Sequence, residues 1–403
     1  MANVAPFAAY ISEGATAPIV ATLPYDVMNR KEAAAMAKKN PDSFLHITRS
    51  EIDLPDSTDA YAPEVYNKAR ENWLKLSQSV LHKDTTPGYY VYSLVMNGKR
   101  QTGIVAAASV EDYNNNIIRK HERTRKEKED DRTRHISTLR AQTGAVFLTY
   151  RDSNAINSIV ADTMKTAPAF DFTAEDGIQH TGWRVPAEKT AELKKAFEDV
   201  PLLYIADGHH RAASASRTQA YLAQKNNVGE ADTFLSVIFP AGQLHILAYN
   251  RVLFNLNGLT AEAFLSKVRQ ACTLTPEAPP IPDTPGTVSM FFDKKWWKLQ
   301  LRTNANANAI EQLDVSMLQN QILQPILGID DPRTDKNIDF VGGIRGTIEL
   351  EKRVLSGECS VAFSMVPTTV EQLMDIADKN AIMPPKSTWF EPKLRDGLFV
   401  HEI

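Results

Sequence analysis

The stretch that decides the fold is LLYIADGHHRAASAS, residues 202–216. An apolar, strand-forming run ends in Asp207, a glycine follows, and two histidines and an arginine open a segment of small helix formers. This order predicts a strand over 202–206, a turn at Gly208 and a helix over 211–225. A strand that turns through glycine into a helix commonly holds phosphate, because the first N–H groups of a helix lack intrahelical partners and lie at the positive end of its dipole.

The residue types at this junction suit an anion. Gly208 has no Cβ, so a phosphate group can approach the backbone closely. His209, His210 and Arg211 add donors, and an arginine can bind two phosphate oxygens at once. Asp207 at the strand end is a candidate Mg²⁺ ligand or proton acceptor.

Two other interpretations of the junction stay open. One is an ordinary helix N-terminus that Asp207 caps, with exposed histidines. The other is a zinc site on His209 and His210, which would need His121 or His135 as a third ligand. Adjacent histidines point in different directions and rarely bind one metal together, so the phosphate interpretation is favoured.

Composition limits the classes of protein to consider. The chain has 403 residues, which predicts two lobes or one large α/β body. It has 45 Lys and Arg against 49 Asp and Glu, a net charge of −4, which argues against a nucleic-acid partner. Two cysteines give no disulfide framework, and no segment resembles a signal peptide or a membrane span. We therefore expect a cytoplasmic protein without a nucleic-acid or membrane partner, and a homodimer is among the assemblies the sequence allows.

Hydrophobic periodicity predicts a mixture of helices and strands. A helix is expected over 62–82, a hairpin over 88–110 around Asn97-Gly98, and a second hairpin over 287–301. Residues 40–49 predict a loop into a short strand, and 244–254 a single strand. These elements follow no strict βαβ rhythm, so the predicted fold class is α+β, or loosely α/β.

The segment 119–140 is unusually charged. It has nine Lys or Arg and five acidic residues, with almost no apolar residue between Ile118 and Ile136. Three interpretations remain open: contact with a substrate or nucleotide, a solvated helix or mobile lid, and nucleic-acid binding. The last is disfavoured because the segment has no aromatic residue for base stacking.

Three motifs carry a resemblance to a known family. DGHHR after a strand resembles the signature of the ParB/sulfiredoxin-like fold, in its free-serine kinase branch, which phosphorylates L-serine with a nucleoside di- or triphosphate. KHERT (120–124) is similar to the His-Glu pair of those kinases, although the insert before DGHHR is longer here. PPKST (384–388) resembles their Pro-Lys-(Ser/Thr)-Thr motif, although Trp389-Phe390 stand where the kinases have Arg-His.

The resemblance implies roles for particular residues. Glu122 would be the general base, and Asp207 would hold Mg²⁺ or share that role. The nucleotide phosphates would be bound by a set of five residues: His121, Gly208, His209, His210 and Arg211. The amino acid or its phosphate would be bound by a second set: Lys386, Ser387, Thr388, Arg123 and Arg49. For Arg49, which follows the HIT of NPDSFLHITR, turn chemistry is the alternative. The implied co-substrate is ATP or ADP with Mg²⁺.

The whole chain also resembles a broad bacterial family known only as a domain of unknown function, whose hallmarks include LPYDV, KHERT, DGHHR and MPPKSTWFEPKL. Together these resemblances predict a ParB/sulfiredoxin-like nucleotide-binding module over 111–255, an N-terminal α/β lobe over 1–110 and a C-terminal α/β substrate lobe over 256–403. The implied activity is phosphoryl transfer to free L-serine, or from O-phosphoserine in reverse. The alternatives are a nucleotide-binding switch without turnover and a phosphoserine phosphohydrolase.

Overall fold

The computed structural model describes residues 1–403, with 21 strands and 14 α-helices. The strands are β1 Val4–Ala5, β2 Tyr10–Ile11, β3 His82–Lys83, β4 Tyr90–Met96, β5 Lys99–Ser109, β6 Ile118–Arg119, β7 Ala141–Gln142, β8 Val146–Tyr150, β9 Phe170–Thr173, β10 Gln179–Arg184, β11 Leu203–Asp207, β12 Thr233–Pro240, β13 His245–Leu247, β14 Tyr249–Leu253, β15 Thr273–Pro276, β16 Thr287–Phe292, β17 Lys295–Gln300, β18 Ile338–Gly342, β19 Val361–Met365, β20 Trp389–Glu391 and β21 Phe399–Glu402. The helices are α1 Ala17–Val20, α2 Arg30–Ala37, α3 Leu45–Thr48, α4 Pro63–Ser79, α5 Val110–Asn114, α6 Lys126–Leu139, α7 Asn154–Thr163, α8 Thr190–Glu198, α9 His209–Ala223, α10 Ala261–Ala271, α11 Asp314–Leu318, α12 Gln324–Leu327, α13 Gly346–Leu355 and α14 Val370–Asp378.

The chain forms two compact units. Unit 1 comprises residues 1–120, 124–244 and 392–403, and unit 2 comprises residues 121–123 and 245–391. The expected mixture of helices and strands is confirmed. The division at residues 110 and 255, like the ParB/sulfiredoxin-like module, stays a prediction. No helix of the chain is long and apolar enough to cross a membrane.

Unit 1 is built on a nine-stranded mixed sheet. Its order is β6-β11-β8-β12-β5-β4-β10-β9, with β1 paired to β5. The predicted hairpin is confirmed: β4 and β5 join at Asn97 and Gly98, whose positive φ angles of 52° and 75° are those of a type I′ turn. A second sheet of this unit has the order β3-β2-β21-β7.

The DGHHR junction lies at the end of β11. This strand pairs in parallel with β6 and antiparallel with β8, and its register with β8 shifts between Ile205 and Asp207. Such a bulge bends a strand and re-aims the side chains that follow, and bulges are common beside active sites. Helix α9 begins directly after Gly208, two residues earlier than predicted, and buries Ala212 and Ala215 in the main core. The strand–glycine–helix prediction is confirmed.

The charged segment forms a helix that packs inside unit 1. Helix α6 buries a mixed face, in which Asp131 and His135 are followed by Ile136 and Leu139. Asp131 accepts a hydrogen bond from the Tyr66 hydroxyl of α4 at 2.9 Å, and Arg217 of α9 pairs with Glu129 at 3.1 Å. Ion pairs and hydrogen bonds therefore anchor the N-terminal part of α6, and Ile136 and Leu139 pack its C-terminal end into apolar clusters.

Unit 2 contains a six-stranded sheet of order β15-β17-β16-β19-β14-β18. The predicted hairpin is confirmed, with Asp293 and Lys294 at its turn. The single strand predicted over 244–254 is wrong. Residues 245–247 pair with β20, whereas 249–253 pair with β18 and β19, because the chain passes from one sheet to another at residue 248.

The short strand predicted within residues 40–49 is also wrong, because Leu45–Thr48 form one helical turn, α3. Phe44, Leu45 and Ile47 are all buried in the unit 1 cores, so tertiary packing decides this conformation. A four-residue helix is too short to leave a period in the sequence.

Candidate functional site

The turn between β11 and α9 depends on glycine. Gly208 is the residue before the helix and has a φ of +93°, which an L-residue with a side chain rarely adopts. No side chain caps this helix end. The 15-residue helix α9 therefore presents the positive end of its dipole where two histidines and an arginine begin its first turn.

Asp207 is held by cations. Its Oδ2 lies 3.1 Å from Lys393 Nζ and 3.7 Å from the Arg211 guanidinium, and its Oδ1 accepts the Gly208 N–H at 2.8 Å. Burial acts to raise the pKa of this carboxyl, but the charges of Lys393 and Arg211 outweigh burial and hold the pKa below its ordinary range. Asp207 is therefore ionised at neutral pH and a weak base.

The Arg211 side chain packs against the turn at Gly208 on its buried side. Its side chain is 9% exposed, and its guanidinium donates to the carbonyl oxygen of Ala145 as well as facing Asp207. A Cβ on Gly208 would come 3.1 Å from Arg211 Nε and 3.2 Å from its Cζ. Arg211 thus supports the glycine turn by packing against it and adds a buried positive charge next to it.

The two histidines occupy the start of α9. His209 is buried and His210 is half-buried. Nε2 of His210 accepts the backbone N–H of Arg125 at 3.0 Å, so a neutral ring carries its proton on Nδ1. Burial, followed by the charge of Arg125, lowers the pKa of His210. His210 is therefore a neutral donor at pH 7.

A small cavity of about 30 Å³ lies behind the junction within unit 1, lined by Arg132, Arg211 and Asp396 among others. This is room for about two water molecules. Asp396 is 3% exposed, and burial raises its pKa to about 7 against the opposing charge of Arg211. A carboxyl that titrates near neutrality thus lies beside the DGHHR arginine.

Replacing Asp396 with Asn tests this assignment through stability. Folded Asp396 keeps its proton up to about pH 7, whereas the unfolded residue loses it near 3.8. Raising the pH between these values therefore favours unfolding, by up to about 1.4 kcal/mol per pH unit. We expect D396N to match the wild type near pH 4 and to exceed its free energy of unfolding at pH 8, measured by urea denaturation. Parallel curves for the two proteins would contradict the raised pKa.

Gly208→Ala tests the glycine turn. Alanine at this position must adopt the left-handed conformation of the turn, which costs about 1–2 kcal/mol, and its methyl group displaces the Arg211 guanidinium. We expect lower stability together with a loss of nucleotide affinity, measured by calorimetry. Gly177→Ala is the matched control, because Gly177 also has a positive φ, +79°, but nothing lies within 4 Å of its added Cβ. Equal nucleotide affinity in both variants would argue against phosphate at this turn.

The KHERT residues that would supply the base belong to unit 2. His121 is buried, Glu122 is half-buried and Arg123 is exposed. The carbonyl of His121 accepts the N–H of Met383 at 2.8 Å. This hydrogen bond places His121 next to the PPKST segment, which begins at Pro384, so the predicted base shares unit 2 with Lys386, Ser387 and Thr388, whereas Arg49 lies in unit 1.

PPKST forms an ordered loop, named here the Lys386 loop (384–388). Lys386 has a φ of +58° and is exposed, whereas Ser387 is buried. Ser387 Oγ donates to the carbonyl of Pro384 at 2.7 Å, and Thr368 Oγ1 donates to the carbonyl of Ser387 at 2.9 Å. Thr388 is half-buried. The Ser387 hydroxyl therefore shapes the turn, and Lys386 and Thr388 are the members whose polar side chains have exposed surface.

Arg49 is occupied by structural contacts. Its guanidinium donates to Glu51 Oε1 at 2.6 Å and to the carbonyls of Tyr25 and Met28 at 2.9 and 2.5 Å. These contacts favour the turn-chemistry alternative. The zinc alternative also loses a candidate third ligand, because His135 Nε2 donates to the carbonyl of Ile47 at 3.0 Å.

The contacts of Asp207 do not fit a resident Mg²⁺. Mg²⁺ prefers carboxylate oxygens that no competing cation occupies, and Oδ2 of Asp207 already faces Lys393 and Arg211. The role of Mg²⁺ ligand that the resemblance implies for Asp207 is therefore not supported by its contacts.

Sequence reasoning did not single out Lys393, Asp396 or Arg251, all of which have ionisable side chains at or near the candidate sites. Arg251 left a readable signal, as a charged residue in the strand-forming run 244–254, which also contains His245 and Asn250. Lys393 and Asp396 are found only through contacts distant in sequence; Lys393 and Asp207 are 186 residues apart.

Comparison with known proteins gives a family but no activity. A family model described as "Protein of unknown function (DUF1015)" matches residues 4–316. No curated protein matches the chain.

Several solved structures align with the chain at low similarity. A free serine kinase in complex with AMP is 12% identical to this chain and has a TM-score of 0.35. The alignment covers 72% of this chain and 86% of the kinase chain. A mutant of a free serine kinase in complex with ADP is 12% identical, covers 72% and 87%, and has a TM-score of 0.34. C-terminally truncated SbnI from Staphylococcus aureus is 12% identical, covers 72% and 85%, and has a TM-score of 0.39. Similarity at this level does not establish a shared fold.

Proposed function

The chain belongs to the DUF1015 family of proteins of unknown function, and from its own residues we propose that it transfers a phosphoryl group between a nucleotide and the hydroxyl of a small amino acid. L-serine is the first candidate acceptor, and O-phosphoserine the donor in the reverse direction. The observation that carries the proposal is the DGHHR junction, where an uncapped helix begins at a glycine with a φ of +93°. Such a junction is a phosphate-binding arrangement.

The phosphate-binding role is assigned to Gly208, His209, His210 and Arg211, with His121 as a further donor. Gly208 allows the turn through its positive φ and leaves room for the Arg211 guanidinium beside it, and His210 offers a neutral donor. The buried Arg211 acts through its charge and by supporting the turn. Asp207 and Lys393 form an ion pair that keeps the strand end and the turn in place.

The chemical step is assigned to Glu122. Its carboxylate takes the proton of the amino-acid hydroxyl as that oxygen bonds to the terminal phosphorus of the nucleotide. The bond from this phosphorus to its bridging oxygen breaks, and the nucleotide leaves with one phosphate fewer. Lys386 and Thr388 orient the amino acid, with Arg123 as a further cation, and Ser387 shapes their loop.

The proposed co-substrate is ATP or ADP. Mg²⁺ would accompany the nucleotide phosphates as their counter-ion, because the contacts of Asp207 leave it a poor resident ligand. We also propose the ParB/sulfiredoxin-like module over 111–255 as the nucleotide-binding part, supported by the DGHHR and KHERT motifs it contains.

Calorimetry combined with a phosphate-release assay separates this proposal from its alternatives. We expect ATP or ADP to bind with Mg²⁺ present, and nucleotide turnover to require L-serine. Nucleotide binding without turnover, for any small hydroxy amino acid, would favour a switch protein. Release of inorganic phosphate from O-phosphoserine without nucleotide would identify a phosphohydrolase instead.

A further inference from the structure

Unit 2 buries an arginine that has no acidic partner. Arg251 lies in the middle of β14, opposite Phe340 on one side and Phe363 on the other, and is 3% exposed. Its guanidinium lies 5.6 Å from the Phe340 ring centre and donates to two carbonyl oxygens, those of Tyr249 and Lys386. It forms no ion pair. Burial lowers its pKa only to about 10, so the side chain keeps its positive charge at neutral pH.

A buried cation without a counter-charge is costly, and an apolar side chain of similar shape would fill the same space without that cost. The two acceptors of Arg251 are neutral carbonyls, which satisfy its hydrogen bonds but leave its charge uncompensated. Its positive potential is therefore available to an anion bound nearby.

The position of Arg251 shows where such an anion would bind. Its Nη2 lies 3.1 Å from the carbonyl oxygen of Lys386, whose backbone has the strained φ of +58°. The Lys386 ammonium lies over the Tyr249 ring, 5.1 Å from its centre, and the carbonyl of the same Tyr249 accepts from Arg251. Two cationic side chains thus converge on the Lys386 loop, one buried beneath it and one on its surface.

We propose that Arg251 is a positioning residue that fixes the Lys386 loop and gives it the positive potential that binds an oxyanion, the carboxylate or phosphate group of the small amino-acid substrate. This inference rests on the proposed function for the identity of the substrate, but it predicts anion binding that is measurable without turnover. Arg251 acts through the loop backbone and through its charge, since its guanidinium is buried and already donates to two carbonyls.

Calorimetry on the full chain tests this role with named probes: inorganic phosphate, O-phosphoserine, L-serine and L-serinamide. We expect Arg251→Met to weaken binding of O-phosphoserine or L-serine at least tenfold while nucleotide affinity stays unchanged. Arg251→Lys keeps the charge but cannot reach both carbonyls, so intermediate affinity is expected. L-serinamide, which lacks the carboxylate, separates carboxylate recognition from phosphate recognition. The control is Arg333→Met, because Arg333 is an exposed arginine of the same unit that pairs only with Asp331.

The outcomes separate this inference from the proposed function. If O-phosphoserine binds in an Arg251-dependent way but no phosphoryl transfer occurs, the anion subsite stands and the proposed activity fails. If transfer occurs and Arg251→Met or Arg251→Lys binds every probe as the wild type does, the inference about Arg251 is overturned. Should Arg251→Met not fold, Arg251→Lys decides, and unchanged affinity there contradicts the inference.

Discussion

Glu122→Gln is expected to lower the rate of serine-dependent nucleotide turnover by about 10²–10⁴-fold, because the amide cannot take the hydroxyl proton. The substitution keeps the shape of the side chain and removes only its basicity. Nucleotide affinity, measured by calorimetry, should stay within about twofold of the wild type, since phosphate binding is assigned to the DGHHR junction. Chromatographic separation of ATP, ADP and AMP after incubation with L-serine measures the rate.

The matched control is Glu127→Gln, an exposed acidic residue in the first turn of α6. It changes the net charge of the same segment by the same amount. A difference between the two variants therefore reports the position of the lost carboxylate and not the change in net charge. A turnover rate in E122Q equal to that of E127Q and the wild type would remove Glu122 as the base. Nucleotide binding without turnover in the wild type would favour the switch interpretation.

Arg211→Met is expected to destabilise the protein by about 3 kcal/mol, the lower end of the effect of removing one partner of a buried ion pair, because the Asp207 side chain is 33% exposed and keeps Lys393 as a second cation. The Arg211 side chain is 9% exposed and compensates the charge of Asp207, so its loss leaves a carboxylate beneath the turn with one cation fewer. Arg211 also opposes the raised pKa of Asp396, so without it that carboxyl should hold its proton to a higher pH. Urea denaturation at pH 7 measures the free energy of unfolding.

Arg217→Met on the same helix is the control for this prediction. Arg217 pairs with Glu129 and Asp130, but its side chain is 39% exposed, so solvent screens the pairs. Its loss should cost no more than about 1 kcal/mol. Equal destabilisation by the two substitutions would show that Arg211 is not the electrostatic support of the DGHHR turn.

Local sequence signals predicted the parts of the fold that depend on local chemistry. The apolar run that ends at Asp207, the glycine after it and the small residues beyond it are local signals for a strand, a turn and a helix. The hairpin turn at Asn97-Gly98 is likewise fixed by two residues that tolerate a positive φ. These features were readable because their causes lie within a few residues of one another.

The predictions that were wrong or missing depend on contacts between residues that are far apart in the sequence. The α3 turn forms because its apolar side chains reach cores built from other parts of unit 1. The strand predicted over 244–254 divides because its two halves pair with different strands, which lie between 85 and 146 residues later in the chain. Lys393 reaches Asp207 across 186 residues, and no periodicity marks such a pair. The Arg251 signal was local, but its meaning depends on the carbonyl of Lys386, 135 residues away.

Phosphorus NMR on the purified chain tests the central claim most directly, with Mg²⁺, L-serine and either ATP or ADP in the sample. The account predicts an O-phosphoserine resonance that grows as the terminal phosphate of the nucleotide declines, together with nucleotide gaining phosphate when O-phosphoserine and AMP or ADP are supplied instead. Spectra that stay unchanged with every nucleotide in both directions would contradict a phosphoryl-transfer site at the DGHHR junction.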